Sequence, residues 1–210
     1  LRMPNQHSEI KEYIYSKWVD SDRYAKFIIE LTDEEIKQAT IIGRKRFENN
    51  RRLKSNRSNW GNKKANPERD ILGALSELAT IKWLNENGFN ASKETFLTIS
   101  ADAEEEAFDT DIVFDGNTYS VEVKSTTKPM KAKLILPAHQ ANKDVKPNII
   151  ILVCMIDEKR YCIKGITDFD TIIQNFDNSL KKPGFSIEEK RLEKDIISVI
   201  EKIKQQNSNK

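Results

Sequence analysis

Only two cysteines and two histidines occur among the 210 residues. With so few soft ligands in the chain, a structural zinc site is not the expectation. Cys154 and Cys162 both fall in strand-like apolar segments, where buried reduced thiols are the expectation rather than a disulfide. Long apolar runs are also missing. None approaches the ~20 residues that span a bilayer, and "LRMPNQHSEIKEY" lacks the apolar centre of a signal peptide. Leu1 and Arg2 ahead of Met3 read as an expression scar and are set aside. The expectation is a soluble, cytoplasmic protein with no membrane partner. An excess of charge of one sign is absent as well: 35 basic against 33 acidic residues give a formal net charge of +2. The whole-chain charge therefore does not call for a polyanionic partner, and any such argument must rest on local clustering.

What is present is 38% apolar residues, enough for one well-formed core with helical appendages. Residues 8 to 30 read as a helix. A second opens at Thr32 with Glu35 three positions on, the spacing of a capping box. "RRLKSNRSNWGNKKANPERD" is basic and aperiodic and reads as a loop, ending at Asn66 as cap with Pro67 at the first helical position. The helix that follows runs to Gly88. Strands are expected at 94 to 99, 109 to 114, 118 to 124, 148 to 156 and 160 to 166, with helices at 168 to 178 and 187 to 205. The sum is an α/β (α+β sandwich) architecture, a mixed sheet flanked by helices.

The stretch "DTDIVFDGNTYSVEVKST" carries the most chemistry. Asp115-Gly116 suits a two-residue type I′ turn, which would place Asp111 opposite Ser120; a Gly116-Asn117 turn would place it opposite Glu122. Both registers give the same sides. Ile112, Phe114, Tyr119, Val121 and Val123 share one face, and Asp109, Asp111, Ser120, Glu122 and Lys124 share the other. Carboxylates at cross-strand spacing repel, so the charged face is either a solvated, salt-bridged outer surface or a site where a cation sits. Hard carboxylate oxygens with room for water suit Mg²⁺. A further carboxylate lies on the preceding helix. Glu77 sits in a stripe of Gly73, Ala74, Thr80 and Ile81, so that it either faces inward toward the sheet or lies at solvent beside small residues.

Taken together these residues resemble the PD-(D/E)XK nuclease superfamily, the restriction-endonuclease-like fold. That family places a glutamate on the first core helix, an aspartate on the second core strand and Glu-x-Lys on the third. Glu77, Asp111, and Glu122 with Lys124 match in order and spacing over about residues 66 to 166, while Thr110 stands where the family's name has proline. Asp109 shares the face of Asp111 and is the alternative aspartate; Asp111 is preferred because it directly precedes "IVF". The resemblance implies an N-terminal extension with helices and a basic loop over 1–65, a nuclease core over 66–178, and a C-terminal helix with a polar tail over 179–210. It implies Mg²⁺, with Mn²⁺ able to substitute, held by Asp111, Glu122 and the backbone carbonyl of Val123, with Glu77 at a second metal or a metal-bound water. Lys124 would orient the attacking water, and Gln140 is an auxiliary candidate, while His139 is left out of the mechanism.

Between Arg44 and Lys64, nine basic residues face a single acid, Glu48. Arg51, Arg52, Lys54, Arg57, Lys63 and Lys64, with Trp60 as a stacking residue, suit contacts to a nucleic-acid backbone, although a solvated linker has the same composition. Two functions follow as expectations: a Mg²⁺-dependent endonuclease acting on DNA, or a non-catalytic nucleic-acid-binding protein on the same fold. One site per chain means that a double-strand break takes two binding events or a homodimer.

Overall fold

The computed structural model describes residues 25–55, 67–92, 96, 109–128 and 132–208. Two sheets and a set of helices make a mixed α/β structure. The larger sheet contains β1 (Ile28–Glu30), β2 (Asn90–Ala91), β3 (Thr110–Phe114), β4 (Asn117–Thr126), β6 (Ile149–Met155) and β7 (Arg160–Asp168), in the order β1-β7-β6-β4-β3-β2. It is mixed: β4 and β6 run parallel, and every other neighbouring pair is antiparallel. A smaller sheet pairs β5 (Lys133–Pro137) and β8 (Phe176–Asp177) to either side of β9 (Gly184–Glu188). The helices are α1 (Asp33–Ser55), α2 (Glu68–Glu86), the single turns α3 (Ala138–Ala141) and α4 (Phe169–Ile172), and α5 (Ile196–Ser208). No helix among the described residues is long and apolar enough to cross a membrane.

Strand β6, "IIILVCM", explains the layering. Its residues are buried on both faces, as a central strand with a parallel neighbour requires. Ile149, Ile151 and Val153 join α2 and α5 in one apolar cluster with Ile112, Tyr119 and Val121. Ile150 and Leu152 face the other way, into a second cluster with Leu134 and Leu136 of β5, Ile187 of β9, and Phe169. Helix α2 lies in the first cluster and is buried over most of its circumference, including Leu78, Ile81, Trp83 and Leu84. Gly88, at φ +85°, follows its last turn where a side chain would be strained. Cys154 and Cys162 pair across β6 and β7 as buried free thiols, and burial pushes the Cys162 thiol up to about 12.

The hairpin takes the Asp115-Gly116 register. Phe114 opposes Asn117 and Asp111 opposes Ser120, with positive φ at both turn residues. The capping box also forms: Thr32 N–H donates to Glu35 Oε2 at 2.8 Å and Glu35 N–H donates to Thr32 Oγ1 at 3.2 Å. Burial raises the Glu35 carboxyl, but the Thr32 amide and the Lys82 ammonium at 2.9 Å outweigh it and hold it below the usual range. Glu35→Ala is expected to cost about 1 kcal/mol near neutral pH. With the folded value depressed, that contribution is present above the unfolded carboxylate range and is lost as pH falls through the folded value. Denaturant melts of both proteins should therefore converge in acid.

Several expected elements differ, because tertiary pairing overrides local pattern. Of the helix expected over 8 to 30, residues 28 to 30 form an edge strand on β7, Ile28 opposing Cys162, and residues 8 to 24 lie outside the described residues. The loop expected from residue 51 begins later, since α1 continues through the good helix formers "RRLK" to Ser55. Pro67 occupies the cap position of α2, and Asn66 lies outside the described residues. The hairpin's outer neighbour is Asn90–Ala91; of residues 94 to 99 only Phe96 is described, and it is helical. "KLILP" forms β5, which had no place among the expected strands. The helix expected over 168 to 178 closes after one turn. The stretch expected to be helical from 187 instead begins in β9, whose Phe185 and Ile187 pair with β5 fifty residues upstream, and the helix starts only at Ile196.

Candidate active site

Strand β4 positions two of the charged groups. Val121 and Val123 point with Ile149 and Ile151 into the helix-side cluster, so Glu122 and Lys124, beside Ile150 and Leu152, project from the opposite face. There the Lys124 ammonium donates to Glu122 Oε1, and at 3.0 Å to Gln140 Oε1. Gln140 arrives on α3, the turn that ends β5, so the second sheet supplies the group that steadies the lysine. Both charged side chains are about four-fifths buried, Glu122 at 22% and Lys124 at 18% exposure. His139, on the same turn, is exposed.

Asp109 joins them from the entry to β3. Its Oδ2 accepts the Val123 amide at 2.6 Å, linking the start of one hairpin strand to the centre of the other. Burial pushes its carboxyl well above the usual range; the Glu77 and Glu122 carboxylates push it further, against the pull of the Val123 amide and Lys124. Asp111, the aspartate preferred on sequence, is exposed, opposite Ser120, whose hydroxyl and amide are both committed to Asn148 Oδ1. The structure thus brings Asp109, rather than Asp111, to the other carboxylates. Sidedness could not choose between them, because residues two apart on a strand share a face. Thr110 is buried and donates to the Ser92 carbonyl at 2.7 Å, helping to anchor this end of β3.

Glu77 is turned inward, at 7% exposure on α2. Its partner is Arg46 of α1, whose Nη1 donates to both carboxylate oxygens, at 2.7 and 2.6 Å. Arg46 counted on sequence only as part of a basic run; nothing local distinguishes it from Arg44 or Lys45, since its partner is 31 residues away. Of the residues expected to touch nucleic acid, Arg51, Arg52 and Lys54 fall in the last turns of α1, while Arg57, Trp60, Lys63 and Lys64 lie outside the described residues.

The hairpin thus carries two carboxylates, Asp109 and Glu122, and one cation, Lys124, while Glu77 of α2 is paired with Arg46 of α1. Among the described residues, no three His, Cys, Asp or Glu side chains stand close enough to share one metal ion. A divalent cation would rest on fewer side chains. Asp109 and Glu122 offer the hard carboxylate oxygens that Mg²⁺ prefers. The donor set fits such an ion in kind, with Glu77 already engaged by Arg46. No protein-family model, curated protein or solved structure matches the chain.

Proposed function

We propose that this protein is a divalent-cation-dependent nuclease of the PD-(D/E)XK type with a restriction-endonuclease-like core, hydrolysing phosphodiester bonds in DNA. The observation that carries the reading is that one hairpin carries Asp109, bonded to the Val123 amide, and the Glu122–Lys124 pair. A plain binding surface for a polyanion gains nothing from acids placed against the phosphate it must attract.

Asp109 and Glu122, with the Val123 carbonyl, would hold Mg²⁺ or Mn²⁺. When bound, the cation supplies charge neutralisation at the phosphate and a lowered pKa for the attacking water. The Val123 amide fixes the Asp109 carboxylate from below, so the ligand is oriented before any ion arrives. Lys124 carries no acceptor lone pair and is not a ligand; its ammonium orients the water and opposes the negative charge that develops on the phosphate. Gln140 holds that ammonium in place from the second sheet. The basic segment that follows Arg44 offsets repulsion between the acids and the DNA backbone.

The test is cleavage of linear, circular, single-stranded and branched DNA, and of RNA, with Mg²⁺, with Mn²⁺ and with chelator. Metal-dependent cleavage of at least one DNA form is expected, and no cleavage of any substrate refutes the reading. In the same assays, replacing Arg51, Arg52, Lys54 and Arg57 together by alanine should weaken DNA binding and flatten its salt dependence, with a slope smaller by about 0.9 per lost phosphate contact. An unchanged slope makes the segment a linker only.

A further inference from the structure

Glu122 and Lys124 project from the face of the larger sheet that carries the second sheet, whereas α1 packs through Ala39 and Ile42 into the cluster on the other face. On its own face the pair meets α3, whose Gln140 accepts from Lys124 at 3.0 Å. The first amide of α3, Ala138 N–H, donates in turn to the Pro183 carbonyl at 3.1 Å. Pro183 ends the loop between β8 and β9, residues 178–183. That loop is therefore fastened to the same helical turn that steadies Lys124.

Two further contacts make the loop a built element rather than a slack connection. A Cβ on Gly184 would lie 2.8 Å from the Leu136 carbonyl oxygen and 3.2 Å from the Pro137 Cα, so only glycine lets β9 run this close to the end of β5. Asp177 braces the loop from its entry: one oxygen accepts the Ser179 amide at 2.9 Å and the other accepts the Ser186 hydroxyl at 2.6 Å, tying the loop back to β9. The acid at the entry is thus spent on the loop itself. Beyond it the sequence "NSLKKP" contains no acid, and Lys181 and Lys182 are both exposed.

We propose, resting on the nuclease reading above, that the β8–β9 loop is a clamp on the substrate backbone, with Lys181 and Lys182 contacting DNA phosphates beside the bond to be cut. Lysines on a braced loop hold a phosphate chain without reading its bases, so the loop fixes where the strand lies and not which sequence it has. The second sheet thereby serves the site twice, through Gln140 and through this loop.

The Lys181→Ala/Lys182→Ala variant tests this against Lys159→Ala/Lys190→Ala, which removes the same charge from exposed lysines on the β6–β7 turn and past the far end of β9. The readouts are binding of fluorescent DNA duplexes of several sequences in chelator across a salt series, kcat and KM on the DNA form that the wild type cleaves, and thermal melts. The loop variant should bind on the order of tenfold more weakly at low salt, about equally for every sequence, with a salt slope smaller by about 1.8, at about 0.9 per phosphate contact. KM should rise in step while kcat stays within a few-fold, because the contact is made equally in the ground and transition states. Melting temperature should not change, and the control variant should keep the wild-type slope. An unchanged slope in the loop variant, an equal loss in the control, or a loss confined to kcat overturns the inference alone. A wild type that cleaves nothing overturns the nuclease reading and this inference with it.

Discussion

Asp109→Asn is expected to lower cleavage on the order of 1,000-fold, while Asp111→Asn leaves it within a few-fold of wild type. The two aspartates are two residues apart and share a face, but Asp109 accepts the Val123 amide of the facing strand, whereas Asp111 is exposed. Asparagine keeps an oxygen to accept that amide, so the hairpin should survive while the anionic ligand is lost. Stability separates loss of chemistry from loss of fold. Asp109 has a raised folded pKa, so its favourable contribution is full below the unfolded aspartate value near ~3.9 and is lost as pH rises through the folded value. At neutral pH in chelator, the variant should therefore melt no lower than wild type. Added Mg²⁺ or Mn²⁺ should raise the melting temperature of the wild type and leave the variant nearly unchanged. If Asp111→Asn abolishes cleavage and Asp109→Asn does not, the aspartate has been assigned to the wrong position.

The second large effect lies away from the acids. Gly43→Ala is expected to destabilise the protein by about 3 kcal/mol and to reduce cleavage as well. A Cβ at position 43 would lie 2.5 Å from the Cα of Ile71, 2.8 Å from its nitrogen and 2.9 Å from the Asp70 carbonyl. These are backbone atoms of α2 and cannot turn aside, so α1 must retreat. Arg46 is one turn beyond Gly43, and retreat of α1 withdraws it from Glu77. Gly73→Ala is the control on the facing helix. Its Cβ would meet only Glu77 Oε1, at the ordinary contact distance of 3.8 Å. Alanine is the better helix former by ~0.8–1 kcal/mol, so this variant should melt at or above wild type. Chemical denaturation of both variants decides; equal melts would mean that the helix crossing does not depend on Gly43.

The local features of this protein were legible because their causes are local. Asp115-Gly116 tolerates positive φ at two successive residues, and the alternation of "DIVF" and "TYSVEV" allows only registers that put Ile112, Tyr119 and Val121 on one face. Thr32 and Glu35 cap a helix through bonds three residues apart. Glu77's small neighbours left an inward orientation open on sequence, and the burial of α2 decided it. Strand β6 reads as buried because apolar residues occupy both of its faces.

Tertiary structure decided the rest, where the partner is distant in the chain or the pattern is degenerate. The second sheet exists because β9 meets β5, and neither short strand signals that meeting alone; it is this sheet that brings Gln140 to Lys124. The choice of Asp109 over Asp111 turns on one amide of the facing strand, since a period of two makes the aspartates equivalent. Arg46 is one arginine in a basic run until the close crossing of α1 over α2 at Gly43 carries it to Glu77. Charge pairs of this kind are set by the packing of whole helices, and a chain read residue by residue contains the two charges but not the distance between them.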